Sequence, residues 1–250
     1  MASRLEPHYE LRNFLRKNLT DINSSVHTGA NINWIFADEP SGEQISTDIY
    51  PRVLVRQIAR DRKPLGLRDT TTFGSVTLQI DVTCNKDSGI LTITNTAESL
   101  GTISNSPRLN FDHVPNSVTN IKHDGTSFGV VTAVRNDDSF TVPASLVAGT
   151  VQYSRETGNL NFSSADLTSY SGQTITSTYV LSLDSEMAVK YIANEIERDV
   201  FDLWYTDTSI GGLLDPEIVS SQLLPFRIDA RLSRYMIEMK FKEFDMGRED

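Results

Sequence analysis

The side chains best suited to catalysis or metal binding are few and scattered. The four histidines are His8, His27, His113 and His123. No two of them lie three or four residues apart, the spacing that places two metal ligands on one helix face. The single cysteine, Cys84, ends a strand-like run without a nucleophile motif, so we expect a buried or inert thiol. The acidic pair in RNDDSF has the turn chemistry of a hairpin loop and lacks the alternating oxygen ligands of a calcium site. We therefore expect no catalytic, cofactor-binding or metal site.

A cluster of basic side chains stands out in a chain whose net charge is −10. Its members are Arg52, Arg56, Arg60, Arg62, Lys63 and Arg68. Strand alternation places Arg52 and Arg56 opposite Val53 and Val55, and the next three lie in a predicted loop before Pro64. One interpretation is a solvated loop, because Asp61 and Asp69 partly neutralise it. The other is a contact between subunits, and contact with DNA is a lesser possibility.

A second candidate interface is the apolar connector GGLLDPEIVSSQLLPF, which begins at residue 211. It contains Leu213 and Leu214, and it follows the polar segment TDTSIGG. The connector either packs under a sheet or forms an exposed patch that binds a protein partner. The flexible composition of the preceding segment favours partner binding.

The elements that position these residues follow from hydrophobic periodicity. Apolar residues at steps of three and four predict a helix over Asp184–Tyr205, with Asp184 or Ser185 as its N-cap, and another over Pro7–Asp21. Strand patterns cover Pro51–Ile58 and, more cleanly, Phe73–Thr83. Two further alternating runs, 226–232 and 235–241, are expected to pair antiparallel and complete the sheet.

The composition changes between residues 84 and 180. This stretch has 13 charged residues in 97, whereas the other 153 residues have 43, and 28 of the 97 are Ser or Thr. Short β-type runs recur in it, and we find no convincing helix, so it predicts an all-β sandwich. The run VQYSRETGNLNF predicts a hairpin in which Gly158 supplies the positive φ of the turn. The fold class is therefore α+β: residues 1–83 and 181–250 form one domain, interrupted by a β-sandwich at 84–180.

Composition also bears on where the chain is made and works. The N-terminal residues lack the apolar segment of a signal peptide, and no run approaches the ~20 apolar residues of a membrane span, so we expect cytoplasmic synthesis. The chain has 20 Asp to 13 Glu and 16 Arg to 7 Lys. Scarce Lys with abundant Asp is typical of proteins that work in high salt, although compositional drift explains it equally well.

The layout of the parent domain resembles the tail terminator and related head–tail joining proteins of tailed viruses, the family of the phage lambda tail terminator. The N-terminal helix HYELRNFLRKNL, the run Pro51-Arg-Val-Leu-Val and the strand FGSVTLQIDVTC carry the likeness. Within the insertion, Tyr153…Thr157-Gly158-x-Leu160-x-Phe162 and Gly172-Gln-x-Ile175…Tyr179 are similar to β-sandwich decorations of virion proteins. The resemblance covers residues 1–83 and 184–247 by layout and 150–180 by motif. It transfers no individual site residue, and the insertion departs from the minimal family pattern.

The resemblance implies a non-enzymatic hexameric ring at the top of the tail, which terminates the tail tube and joins it to the neck. Its implied partners are the tail tube protein and the neck or head-completion proteins, and genome DNA passes through the channel without specific binding. Localisation would be the virion, after assembly in the host cytoplasm. Two alternatives stay open: a virion decoration or adhesin whose β module binds a receptor, and an enzyme whose site is assembled from distant residues. The candidate interface residues are Arg56, Arg60, Arg62, Lys63, Arg68, Leu213 and Leu214.

Overall fold

The computed structural model describes residues 6–23, 27, 34–37, 50–64, 72–88, 90–104, 109–135, 137–205, 210, 212–224 and 232–245. These residues form a mixed α+β structure in which strands dominate, and this confirms the predicted α+β class. The chain divides into two compact units. The first comprises Met1–Leu91 and Leu183–Asp250, and the second is Thr92–Ser182.

The helices and strands of the second unit interrupt those of the first once along the chain. In chain order they are α1 (Pro7–Asn18), β1 (Ile35–Ala37), β2 (Arg52–Pro64), β3 (Thr72–Asn85), β4 (Leu91–Thr102), β5 (Ser117–His123), β6 (Thr126–Ser127), β7 (Val130–Val134), β8 (Thr150–Ser154), β9 (Leu160–Phe162), α2 (Ser164–Ser169), β10 (Thr174–Leu183), α3 (Ser185–Tyr205), β11 (Leu213–Leu224) and β12 (Leu232–Asp245). The predicted helices at 7–21 and 184–205 are thus present as α1 and α3, although α1 ends three residues earlier than expected.

The first unit is built on a five-stranded sheet in the order β1-β2-β3-β12-β11. β1 lies parallel to β2, and the remaining neighbours are antiparallel. The predicted strand at 235–241 lies inside β12, whereas residues 226–231 of the other predicted strand lie outside the described residues. The prediction that these two runs pair with each other is wrong, because β12 pairs with β3 on one side and with β11 on the other.

One face of this sheet, the helix face, forms the core of the first unit. The alternating residues Val76, Leu78, Ile80 and Val82 of β3 are fully buried, as the sequence predicts. β12 supplies the stripe Ile237, Met239 and Phe241, which is equally buried. α1 packs on β1 and β2, and α3 packs on β12, β3 and β11. Each large aliphatic side chain removed from water here contributes roughly 1.5–3 kcal/mol, so this double stripe fixes which face the helices cover.

α3 begins where the sequence predicts, at a side-chain cap. The Asp184 carboxylate accepts hydrogen bonds from the backbone N–H groups of Glu186 and Met187, at 3.0 and 2.8 Å. These bonds satisfy two of the donors that a helix start leaves unpaired. The apolar stripe then faces the sheet, and its buried members are Val189, Ile192, Ala193, Ile196 and Val200.

The second unit contains two sheets, β4-β10-β5-β6 and β7-β8-β9. The predicted hairpin is confirmed, since β8 pairs antiparallel with β9 and Gly158 has a φ of +73°. The expectation of no helix is wrong, because α2 occupies six residues and is capped by Ser163, whose hydroxyl accepts from the Asp166 N–H. Among the short β-type runs, SFTVPA (residues 139–144) is not a strand: it lies between 3₁₀ turns at Asp137–Ser139 and Pro143–Ser145.

Two segments of the first unit that the sequence assigns to loops are strands. The basic residues before Pro64 belong to β2, which extends six residues beyond the predicted end at Ile58. The apolar connector is β11, twelve residues long. In both segments the hydrogen-bonded partner, β3 or β12, imposes the extended backbone on residues whose own pattern is too polar or too irregular to indicate a strand.

Candidate functional site

The basic cluster is divided between the two faces of the sheet by a β-bulge in β2. Gln57 pairs with Leu78, but the next pair is Ala59 with Thr77, so Ile58 is an extra residue. A bulge shifts the alternation by one position and moves every later side chain to the opposite face. Arg56 therefore lies on the polar face of the sheet, whereas Arg60 and Arg62 lie on the helix face.

On the helix face, Arg60 and Arg62 converge on one carboxylate, that of Glu243. Arg60 donates from Nε and Nη2 at 2.9 and 2.6 Å, and Arg62 donates from the same two atoms at 3.2 and 2.7 Å. The Glu243 side chain is 1% exposed, while those of Arg60 and Arg62 are 20% and 34% exposed. Arg60 also donates to Glu6 at 2.7 Å, which ties the start of α1 to the same cluster.

Gly74 allows a close approach of two strand backbones beside this group of ion pairs. It lies between Arg62 and Glu243, pairing with Arg62 of β2 on one side and with Glu243 of β12 on the other. A Cβ at this position would lie 1.8 Å from the Asp61 carbonyl oxygen. A strand glycine of this kind marks a close approach of neighbouring groups. The absent side chain therefore lets the backbones of β2 and β3 approach closely at the position that Arg62 and Glu243 flank.

On the polar face, a second carboxylate is enclosed by two arginines in the same way. Asp81 is 3% exposed. Arg56 donates to its Oδ2 from Nη2 at 2.6 Å, and Arg234 donates to its Oδ1 from Nε and Nη2 at 3.1 and 2.7 Å. Gln79 donates to both oxygens at 3.0 and 3.1 Å. We call these two groups the Glu243 cluster and the Asp81 cluster.

These clusters correct the predicted basic loop. Arg56, Arg60 and Arg62 lie on a strand and make their closest ion pairs within the subunit. Lys63 is exposed at the end of the same strand, and Arg68 lies outside the described residues. One of the missed carboxylates was recognisable from its position, since Glu243 continues the apolar stripe 237, 239, 241, where a charge needs a buried partner.

The two candidate leucines of the connector separate into different environments. Leu213 is 3% exposed and belongs to the core, whereas Leu214 is 41% exposed. β11 is an outer strand of the sheet and pairs with β12 through two register shifts, between Leu214 and Glu217 and between Ile218 and Ser220. The second shift presents Val219, which is 54% exposed.

A cleft of about 360 Å³ lies at the end of the sheet where β2 stops and β11 begins. Phe73, 43% exposed, contributes an apolar surface, and three carboxylates and three ammonium groups surround it. These charged residues are Asp61, Lys63, Asp215, Glu217, Lys240 and Lys242. The Lys242 Nζ lies 2.7 Å from Asp215 Oδ2, so part of this charge is already paired. The lining thus combines the exposed ring of Phe73 with balanced charge.

Two side chains that could act as a nucleophile or an acid, Cys84 and Tyr179, are held in their protonated forms. Burial raises the pKa of Cys84 to about 11, and the side chain is 1% exposed, which confirms the expected buried thiol. Burial, with a hydrogen bond to Glu98, raises the pKa of Tyr179 well above its ordinary value. Both groups are therefore neutral near pH 7 and act as packing elements.

The part of the chain that the structure describes has neither a metal-binding cluster nor a membrane-spanning helix. Within it, no group of three or more His, Cys, Asp or Glu side chains is arranged to hold a metal ion. None of the helices in those ranges is long and apolar enough to cross a membrane. In comparisons with known proteins, no family model matches the chain and no curated protein matches it.

Proposed function

We propose that this chain is a structural virion protein of a tailed virus that forms a ring at the top of the tail, ends the tail tube and joins it to the neck. The observation that carries the proposal is the architecture of the first unit. A helix, a sheet and a second helix on the same face are followed by closing strands, with the second unit inserted between β3 and α3. This is the layout that the resemblance to tail terminators implies.

The sheet also supplies what a ring requires. A subunit in a closed ring uses two different surfaces, one for each neighbour. β11 forms one outer strand, and β2, covered by β1 at Val53–Val55, lies near the other side. These two strands differ in sequence and charge, so they favour a head-to-tail contact over a two-fold one.

The second unit fits the role of a β-sandwich decoration on this ring. Its four-stranded and three-stranded sheets have the strand number of an immunoglobulin-like sandwich. The parallel pairing of β7 with β8 departs from the antiparallel sheets of that fold. We therefore assign it to the broader sandwich class, with the immunoglobulin-like form as a proposal.

The proposal specifies partners and location. Six copies form the ring, the tail tube protein binds one side of it, and neck or head-completion proteins bind the other. Genome DNA passes through the channel without specific binding, because a subunit charge of −10 opposes tight phosphate contact. The protein is assembled in the host cytoplasm and ends in the virion. This role involves no cofactor and no catalysis.

The test is native mass spectrometry of the full chain, with negative-stain electron microscopy of the same sample, over a range of NaCl concentrations. We expect a hexamer with an open centre. The ring should bind to one end of purified tail tubes that lack a terminator, and free tubes should stop elongating when it is added. A chain that stays monomeric under all of these conditions contradicts the proposal.

A second candidate function, a decoration or adhesin protein, is favoured by one feature of the second unit. Val130, Val142 and Val147 are 54%, 66% and 73% exposed, so three apolar side chains of this unit are accessible to a partner. In this role the second unit binds a receptor or another virion protein. The double variant Val142→Asp/Val147→Asp of the full chain would then lose binding to host cells while its oligomeric state stays unchanged.

A further inference from the structure

The turn between β5 and β6 contains Asp124-Gly125, the one place in the chain where an aspartate or asparagine precedes a glycine. In such a pair the backbone nitrogen of the glycine can attack the side-chain carboxyl carbon before it, because glycine has no side chain to block the approach. Both residues are exposed, and a Cβ at Gly125 would meet nothing within 4 Å among the described residues. The site is therefore accessible to water and sterically open.

The conformation of this turn decides whether the attack is possible in the folded chain. β5 and β6 pair up to His123 and Thr126, and the two loop residues between them have φ angles of +42° and +87°. These angles define a type I′ turn, for which Asp-Gly is a favoured sequence. Because type I′ is the mirror image of type I, ψ of Asp124 is roughly +30°. This ψ places the Gly125 nitrogen on the opposite side of the Asp124 Cα–C bond from Cβ, whereas ring closure requires both on the same side.

Hydrogen bonds to β10 hold the turn in this conformation. The Asp124 N–H donates to the Thr174 carbonyl at 3.0 Å, and the Thr174 N–H donates to Asp124 Oδ1 at 2.9 Å. Beside the turn, His123 Nδ1 donates to Gln173 Oε1 at 2.8 Å, and the His123 ring stacks on Tyr170 with 3.7 Å between the centroids. These contacts engage the carboxylate and fix the backbone rotation, so the reacting atoms meet only after the turn opens.

We propose that Asp124 is a site of spontaneous isoaspartate formation, and that the reaction proceeds when the β5–β6 turn opens away from β10. The Gly125 nitrogen bonds to the Asp124 Cγ, the hydroxyl of the carboxylic acid leaves as water with the amide proton, and a succinimide ring forms. Water then opens the ring at either carbonyl, which returns aspartate or gives isoaspartate. The water that is lost is regained, so the mass of the chain does not change.

Isoaspartate would prevent the hairpin from re-forming. The main chain then runs through the former side-chain carbon and is one carbon longer, so the loop no longer matches the pairing of His123 with Thr126. β6 is followed directly by Phe128, a buried ring that packs against His123 and Phe162 and whose N–H donates to the Ile121 carbonyl at 2.9 Å. The modification therefore loosens this aromatic group and marks aged copies of the protein.

The experiment is ageing of the full chain for several weeks in neutral buffer, folded in one sample and unfolded in guanidinium chloride in the other. Peptide mapping by liquid chromatography and mass spectrometry separates isoaspartate from aspartate at equal mass and locates it. In the unfolded sample, isoaspartate should form faster at residue 124 than at any other aspartate. In the folded sample, its formation at residue 124 should be about tenfold slower or more, because only the locally opened fraction reacts.

A pair of glutamine variants tests whether the contacts to β10 set the rate. Gln173→Ala removes the hydrogen bond beside the turn, and Gln222→Ala makes the same substitution at an exposed residue of the first unit. In the folded chain Gln173→Ala should form isoaspartate at residue 124 roughly two- to tenfold faster, the factor that corresponds to the net contribution of one hydrogen bond. Gln222→Ala should match the wild type, and all three chains should react equally fast in guanidinium chloride.

Other results overturn the proposal. Isoaspartate that is no more abundant at residue 124 than at other aspartates of the unfolded chain removes the site. Equal rates in the folded and unfolded wild type, or in folded Gln173→Ala and folded wild type, remove the control by the turn. None of these measurements depends on assembly, so they succeed or fail independently of the proposed ring.

Discussion

Removing the negative charge of Glu243 should destabilise the first unit much more than removing an equally close surface charge. In Glu243→Gln the side chain keeps its shape, but two guanidinium groups lose the carboxylate that four hydrogen bonds of 2.6–3.2 Å join to them. Breaking a fully buried pair costs about 3–5 kcal/mol. Arg60 and Arg62 are 20% and 34% exposed, so water recovers part of this cost. We expect a loss of about 2–3 kcal/mol in the free energy of unfolding.

The matched control is Asp215→Asn. Its ion pair with Lys242 has the same 2.7 Å separation as that between Arg62 and Glu243, but its side chains are 51% and 57% exposed. An exposed pair contributes roughly 0–1 kcal/mol. Asparagine also tolerates the positive φ of this position, so the backbone adds little to the difference.

The assay is urea denaturation followed by tryptophan fluorescence. Both tryptophans, Trp34 and Trp204, belong to the first unit, so the signal reports that unit even where the two units unfold separately. Urea is uncharged and leaves the ion pairs unscreened. A loss of 2–3 kcal/mol corresponds to a fall of roughly 4–12 °C in the melting temperature of a unit of this size. Equal losses in Glu243→Gln and Asp215→Asn would refute the reasoning that burial sets the strength of these pairs.

Four further outcomes test other parts of the structure. Replacing residues 92–182 with a short Gly-Ser linker should leave a first unit that unfolds cooperatively by tryptophan fluorescence; a non-cooperative transition would contradict its independence. Raising NaCl should increase the melting temperature, because salt shortens the Debye length from ~30 Å at 0.01 M to ~3 Å at 1 M and so weakens the self-repulsion of an acidic chain. A melting temperature that stays flat or falls with salt counts against a saline host. Gly74→Ala should lower the melting temperature, because a Cβ at residue 74 meets a backbone oxygen at 1.8 Å. Alanine at the neighbouring Ser75, on the same strand, should leave it nearly unchanged. Burial raises the pKa of Cys84 from its ordinary 9.0 to about 11, so the contribution of this thiol to stability is present below about pH 9 and lost towards pH 11. At pH 8 the thiol should react slowly with a disulfide reagent in the folded chain and fast in urea.

Hydrophobic periodicity predicted the elements whose own residues determine their structure. The stripe and the Asp184 cap locate α3, and the clean alternation of β3 locates both its extent and its buried face. Gly158 marks the hairpin because a left-handed backbone is required there. In each of these cases the local pattern and the tertiary contacts favour the same conformation.

β11 was missed because its local pattern and its tertiary environment disagree. Asp215-Pro216 has the chemistry of a turn, and the two register shifts break the alternation that identifies a strand. The pairing with β12 nevertheless imposes an extended backbone. The same reasoning applies to β2, where a single extra residue at Ile58 reverses the faces of Arg60 and Arg62. No period-2 pattern can indicate a bulge, so the sequence predicted one basic patch, whereas the sheet separates Arg56 from Arg60 and Arg62.

The arginine clusters offer a structural reason for part of the unusual composition. The chain has 16 Arg and 7 Lys, and four of the arginines hold the two buried carboxylates. A guanidinium donates from Nε and Nη2 together, as Arg60, Arg62 and Arg234 do, and a lysine ammonium cannot reproduce that fork. Buried pairs are also screened by salt far less than exposed ones. The buried ion pairs of the sheet should therefore keep their strength over a wide range of ionic strength, whereas the repulsion between surface carboxylates should weaken as salt is added. The salt dependence of stability can thus be assigned to the surface and not to the two arginine clusters.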